Sequence, residues 1–500
     1  MDRGWFRTAG GVALLAAAVA PLPAQPPAAP APLPTAPLYA PAVPTSYPID
    51  LPTALRLADA DNPTVAVARA RVQEALANLS RARVSWVPNL VFGPTFFYHA
   101  GIDQNRKGEI FSVARGNFTL TGGPQARVDV GDALFLPLVA RRLVRAADAR
   151  ARATGNDAQL AAAIGYLDLL ELHALLAVNA DTLDRAEQVL RSAEAGARAG
   201  LNKTAADVNR AATEVNLRRE ERVVLRGRAA ATAARLAQIL MLDPTVELIP
   251  FEVAVVPVIL VPGELTLDQL VRTGLRGRPE VASAGAEVQA AETLVRQAKS
   301  APFLPRVQAE FLGGGLSGGL NDDFGPMRGQ FNTAVAAVWQ LDNGGAGNLA
   351  TIRARQAGVA AAAARLREVQ ARVAAEVVEA AQTAASRYAA LPPAQEAVRE
   401  ALEMYRKFRE GSFGIVGPRP QFDALEPLTA VQALNTARVQ YLTQVVEFNR
   451  AQFRLYTAMG RPPVCGVESA AAQPVQIPAV PPSVSQPLPP PRPEVPPVKP

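Results

Sequence analysis

Apolar and polar positions along the chain change period in a fixed order, and they do so twice. Residues 51–87 and 267–302 are Ala-rich with helical spacing, and each segment predicts one helix of about 35 residues that ends near Pro88 or Pro305. Period-two segments follow. Phe118, Leu120 and Gly122 alternate with Asn117, Thr119 and Thr121, and Ala126, Val128 and Val130 alternate with Gln125, Arg127 and Asp129. Val307, Ala309 and Phe311 alternate with Gln308 and Glu310, and Phe331, Val335, Ala337, Trp339 and Leu341 share one face. This alternation predicts strands. The segment from Leu90 to His99 alternates less cleanly. Polar, Gly-containing loops are expected at Gly101–Gly116 and Gly313–Gln330.

Very long helices come next. Residues 133–199 hold no Pro beyond Pro137, and 346–410 are interrupted only at Pro392-Pro393. Such a helix spans roughly 100 Å at 1.5 Å per residue. A last helix closes each half, over 204–242 and 421–459. Helices of this length must pack side by side along most of their length. Small residues such as Ala354, Ala357, Ala361 and Ala364 are expected at the contacts.

The two halves align. Leu51-Pro-Thr-Ala-Leu55 with Asn62-Pro63 matches Leu267-Asp-Gln-Leu-Val271 with Arg278-Pro279. Val72-Gln73 matches Val288-Gln289, and Trp86-Val-Pro88-Asn-Leu90 matches Phe303-Leu-Pro305-Arg-Val307. Arg235-Leu236, Asp243-Pro244 and Asn216 match Arg454-Leu455, Pro462-Pro463 and Asn435. The shared order and the near-constant offset read as a tandem duplication. The expected organisation is a first repeat over 49–244, a linker over 245–266 and a second repeat over 267–463.

Both ends differ from this body. Arg3 and Arg7 precede an apolar run, Gly11–Ala20, and the small residue Ala24, so 1–24 reads as a secretory signal. No Cys follows it for a lipid anchor, and no later charge-free apolar run reaches the roughly 20 residues of a membrane helix. Residues 25–48 read as a Pro/Ala-rich extended linker and 464–500 as a Pro-rich disordered tail.

Composition narrows the chemistry. The net charge of +6 over 500 residues is no nucleic-acid footprint. One Cys, Cys465, excludes an internal disulfide and a thiolate metal cluster. Two His, His99 and His173, exclude a His-rich metal centre; His173 reads as a packing or lumen residue and His99 as a loop or barrel-rim residue. No catalytic constellation, metal site, cofactor motif or phosphate-binding loop is present, so no enzymatic activity is expected.

Four membrane-length strands cannot close a barrel alone, since single-chain barrels start at about eight. Strands from several chains must therefore share one barrel, with the helices continuing the tube. The duplicated helix–hairpin–long helix–helix unit, over about residues 50–463, resembles the TolC-type outer-membrane efflux proteins. The resembling stretches are Leu51–Pro63 with its repeat, Trp339-Gln-Leu-Asp-Asn-Gly-Gly345 leading into a long helix, and Phe422-Asp-Ala-Leu-Glu426. The expected fold is mainly α with a small β part: a tandem-duplicated, long-helix coiled-coil barrel plus four strands per chain in a trimeric transmembrane β-barrel.

The resemblance implies a homotrimer in outer-membrane lipid whose helices stand in the periplasm. It also implies docking to a periplasmic adaptor and to an inner-membrane pump that supplies the energy. In such proteins carboxylate rings close the periplasmic mouth. The matching positions are Asp423 and Glu426, with Asp207 as a third candidate from the first half. Acids near a helix start are also favoured by capping and the helix dipole alone. Where the family has an aromatic hydroxyl this chain has Phe408, and Phe413 replaces a basic residue. Gly414–Pro420 reads as an insertion whose Arg419 is a candidate substitute for that cation. The leading expectation is a passive channel-tunnel of a tripartite export system. The alternative is a secreted coiled-coil scaffold of the envelope without transport activity.

Overall fold

The computed structural model describes residues 46–60, 62–199, 204–252, 254–320, 325–413 and 425–463. The signal segment, most of the N-terminal linker, the C-terminal tail with Cys465, and both Asp423 and Arg419 lie outside the described residues.

Each half opens with a helix pair rather than the single helix that the sequence suggests. Helix α1 is Leu51–Ala60 and α2 is Pro63–Arg83; α5 is Leu267–Gly277 and α6 is Pro279–Ser300. The break has one cause in both places. A residue before Pro is driven out of the helical region, so Asn62 (φ −69°, ψ 122°) and Arg278 (φ −68°, ψ 122°) are extended. Pro63 and Pro279 then start the next helix, where a missing N–H costs nothing. The Asn62 side chain accepts from the Thr64 N–H at 2.9 Å and completes the cap.

Single 3-10 turns, Val84–Trp86 and Ala301–Phe303, lead into the sheet. Strand β2 is Asn89–Gln104, β3 Ile110–Asp129, β5 Arg306–Leu320 and β6 Arg328–Val338. They form one antiparallel sheet in the order β2-β3-β5-β6, so β2 and β6 are its open edges. The expected loops are therefore too long: residues 101–104, 110–116 and 313–320 belong to strands. Glycine is the reason. A Cβ on Gly123 would fall 2.0 Å from the Phe311 carbonyl oxygen, and one on Gly314 would fall 2.0 Å from that of Leu120. The β3–β5 seam closes because those side chains are absent, although Gly runs read as loop in the sequence.

A second sheet joins the connectors. Strand β1, Ser46–Ile49, pairs in parallel with β4, Glu247–Pro250. Pro48 and Pro250 are tolerated because each strand has only one neighbour.

Helix α3, Val130–Arg198, runs 69 residues, about 100 Å. Helix α4 is Ala205–Leu240, α7 Ala346–Phe413 and α8 Leu425–Ala458. Helix α7 runs through Pro392-Pro393 without the expected interruption. The carbonyls these prolines leave free belong to Tyr388 and Ala389, which face solvent, and water can satisfy them. By length and composition α3 could cross a membrane. It is instead the centre of the helical layer: Ala162, Tyr166 and Leu169 pack with Leu55 of α1, Leu236 of α4, Leu248 of β4 and Phe453 of α8. Ala354, Ala357, Ala361 and Ala364 are exposed, contrary to expectation. Within one chain, Val373 is the first fully buried residue of α7.

Candidate channel wall and helical tip

Cross-strand partners share a face, so the register fixes which side chains go together. Phe96 pairs with Phe118 and Leu90 with Pro124; Gln125 pairs with Glu310, and Asp129 with Arg306. One face of the sheet thus carries Leu90, Phe92, Phe96, Ile102, Phe118, Phe311, Phe331 and Val335, most of them exposed. The opposite face carries every charged residue of the four strands: Asp103, Arg115, Arg127, Asp129, Arg306, Glu310 and Arg328. The charges form a wall. Arg115 pairs with Asp103 at 3.1 Å, Arg306 with Asp129 at 3.0 Å, and Gln125 donates to Glu310 at 3.3 Å. Phe97, Phe111, Leu316 and Leu320 interrupt this face toward the loops. His99 lies inside β2 rather than in a loop, on the charged face.

Trp86 and Trp339 flank the opposite end of the sheet and are exposed. The Trp339 indole donates to the Phe303 carbonyl at 3.3 Å. Exposed aromatics at the end of an apolar face are the arrangement favoured at a membrane–water interface.

The helical part is laced by charged groups that pair across helices. Asp181 on α3 accepts from Arg185 at 2.7 Å and from Arg438 of α8. The Arg185 guanidinium lies 4.5 Å from the centre of the Tyr405 ring. Burial is the largest single influence on Asp181 and pushes its carboxyl up, but the two arginines together outweigh it and hold it below the ordinary carboxylate value. Glu214 of α4, only 3% exposed, accepts from Arg218 at 2.7 Å and from Gln432 of α8 at 2.7 Å. Thr182 donates to Asn435 at 3.0 Å. Higher up, Arg450 of α8 meets Asp168, Glu171 and Glu447. Arg450 stays charged, since the carboxylates overcome its burial. Half-burial lowers the tendency of His173 to protonate, only partly offset by Glu247. One signal was readable: Asn435, which aligns with Asn216 in the duplication, is a polar residue at a helix core position.

Of the expected aperture residues, Asp207, Glu426 and Phe408 are described. Asp207 sits at the third position of α4 and completes a capping box: its Oδ2 accepts from the Thr204 N–H at 2.9 Å and hydroxyl at 2.8 Å. Arg210 approaches it at 3.7 Å. Glu426 lies in the first turn of α8, half-buried, and its Oε2 has no hydrogen-bond partner among the described residues. Phe408 packs against the cluster of Tyr405, Val431 and Leu434. No group of three or more potential metal ligands occurs among the described residues.

The combination of a four-stranded sheet with one charged face and very long helices can be set beside known proteins. Residues 270–461 match the family "Outer membrane efflux protein". The fold is shared with the Campylobacter jejuni CmeC outer membrane channel (15% identity, TM-score 0.68, covering 82% of this chain and 85% of that one). It is shared with CusC, whose structures concern transmembrane channel formation (18% identity, TM-score 0.66, 83% and 94% covered). It is shared as well with VceC of Vibrio cholerae, an outer membrane protein (16% identity, TM-score 0.65, 82% and 96% covered). A search of curated proteins finds no match. The resemblance to the TolC-type outer-membrane efflux proteins therefore holds, through the fold over most of the chain and through the family over its second half.

Proposed function

We propose that this chain is one protomer of an outer-membrane efflux channel, a passive conduit from periplasm to exterior. The observation that carries the reading is the four-stranded sheet, with all its charges on one face, most of its aromatics on the other, and both edges open. A charged face suits a wet lumen and an aromatic face suits lipid. Three copies would give a twelve-stranded barrel, with the helices continuing it into the periplasm. The exposed alanines of α7 leave a close-packing surface for a neighbouring copy.

Transport energy comes from an inner-membrane pump, reached through a periplasmic adaptor. Asp423 and Glu426 form the periplasmic aperture, with Asp207 beside them, Arg419 as the compensating cation and Phe408 as the aromatic support. Native mass spectrometry of the mature chain in detergent should give three copies, and planar bilayers should show discrete conductance. Replacing both Asp423 and Glu426 with Ala should weaken block by multivalent cations without abolishing assembly. A water-soluble monomer without conductance would sink the reading; unchanged block in the double variant would remove only the aperture assignment.

A further inference from the structure

The connector between the repeats, residues 254–266, does not lie flat on the helices. Between it, α5, α7 and α8 is an open cleft of about 440 Å³, within the range of ligand-binding clefts. Phe448 and Leu455 of α8 form its floor, and Val261 and Leu270 one wall. Its rim keeps large apolar surface in contact with water: Ile259 is 38% exposed, Leu265 40%, Leu267 38% and Tyr388 55%. The Tyr388 and Phe448 rings stand 5.5 Å apart at 46° and form a tilted aromatic pair at one side. Apolar side chains gathered around one cleft mark a surface meant to be covered.

We propose that the Pro-rich C-terminal segment of the same chain, residues 474–497, docks in this cleft. The argument for this occupant starts from where the described chain ends. Helix α8 supplies the floor of the cleft, it ends at Ala458 just after Leu455, and the described chain stops at Pro463, eight residues past Leu455. The roughly 37 residues after Pro463 would span about 110 Å in a polyproline conformation, so they reach the cleft with length to spare. The chemistry fits as well. Pro474, Pro478, Pro481, Pro482 and the run Pro487-Leu-Pro-Pro-Pro-Arg-Pro493 offer proline rings and carbonyls but few N–H groups. Such a segment is recognised by an aromatic-lined apolar groove and a hydroxyl that donates to its carbonyls. The Tyr388–Phe448 pair and the Tyr388 hydroxyl supply both. Proline has already fixed φ, so little conformational freedom is lost on docking. Docking would cover the apolar rim and fasten the tail to the helical body at the level of the connector.

The test uses the full chain with Gln382, an exposed residue lining the same cleft, replaced by a photo-crosslinking benzoylphenylalanine, assembled from a mixture of isotopically heavy and light copies. Irradiation should give crosslinks from position 382 to residues 474–497 within copies of one label. Mixed-label crosslinks would show that a second copy covers the cleft, and crosslinks elsewhere or none would equally overturn the proposal. Separately, cleavage after Glu494 by a glutamate-specific protease should be slow in the native chain and speed up about tenfold in Tyr388→Ala. Equal rates would overturn it, and because Tyr388 is more than half exposed the variant keeps its fold.

Discussion

Asp181 of α3 holds Arg438 of α8, which ties the longest helix of the first half to the last helix of the second. Asp181→Asn removes the charge from a carboxylate that serves two arginines, with an expected loss of about 1–3 kcal/mol. The pH dependence follows from the depressed pKa. The contribution is fully present above the unfolded carboxylate value of about 3.9, and it is lost as pH falls through the lower folded value. Thermal unfolding in detergent should show a constant gap between the native chain and Asp181→Asn from pH 8 to 5, and a narrowing gap below pH 4. A gap that changes near neutrality would contradict the assignment.

Arg450 is 11% exposed and meets three carboxylates. Arg450→Met leaves those charges without their cation, a loss of about 3–5 kcal/mol. Arg450→Lys should recover only part of it, because a compact ammonium cannot reach Asp168, Glu171 and Glu447 together. Denaturant midpoints rank the three proteins.

The glycines of the β3–β5 seam make a steric prediction. Gly123→Ala and Gly314→Ala each drive a Cβ into a backbone carbonyl, which costs at least about 1–3 kcal/mol of overpacking. Gly329→Ala meets nothing within 4 Å and serves as the control. The yield of folded oligomer on gels should fall for the first two and hold for the third.

Neighbouring residues of β6 should respond oppositely to the same change. Phe331 lies on the aromatic face and Gln330 on the charged face. Phe331→Arg should cost about 2–4 kcal/mol in a bilayer, and Gln330→Arg little. Refolding yield into liposomes measures the difference, and equal yields would show that the faces are misassigned.

Asp207 permits a separation of roles. Loss of its capping box in Asp207→Ala should cost about 1 kcal/mol. Thr204→Ala loses only the hydroxyl side of the box and keeps the Thr204 N–H bonded to Asp207, so it should cost no more than Asp207→Ala, and it removes no charge. If Asp207 also belongs to the aperture, only its own variant will change cation block in a bilayer.

What the sequence made legible follows from local physics. Alternation such as Phe118–Leu120–Gly122 reports a face because period two has no helical equivalent. Pro63 and Pro279 were visible too, yet the breaks they cause in the opening helices were missed. Gly313–Gly315 read as a loop, since the carbonyl of Leu120 that excludes a side chain there lies nearly two hundred residues away. The bonds of Asp181, Glu214 and Arg450 were hidden for a related reason. A charge on a long helix looks the same in sequence whether water or another helix faces it. Glu426 was legible as a first-turn acid, but the chain segment just before it, including Asp423 and Arg419, lies outside the described residues.

Strands β2 and β6 each have a single partner. Each therefore presents a bare row of peptide N–H and C=O groups that hydrocarbon cannot solvate. A lone copy has no stable resting place inside a bilayer, so insertion cannot run ahead of association. If copies share one barrel as proposed, its yield would rise more steeply than in proportion to the supply of new chains. At low supply the same edges are exposed to mispairing and proteolysis.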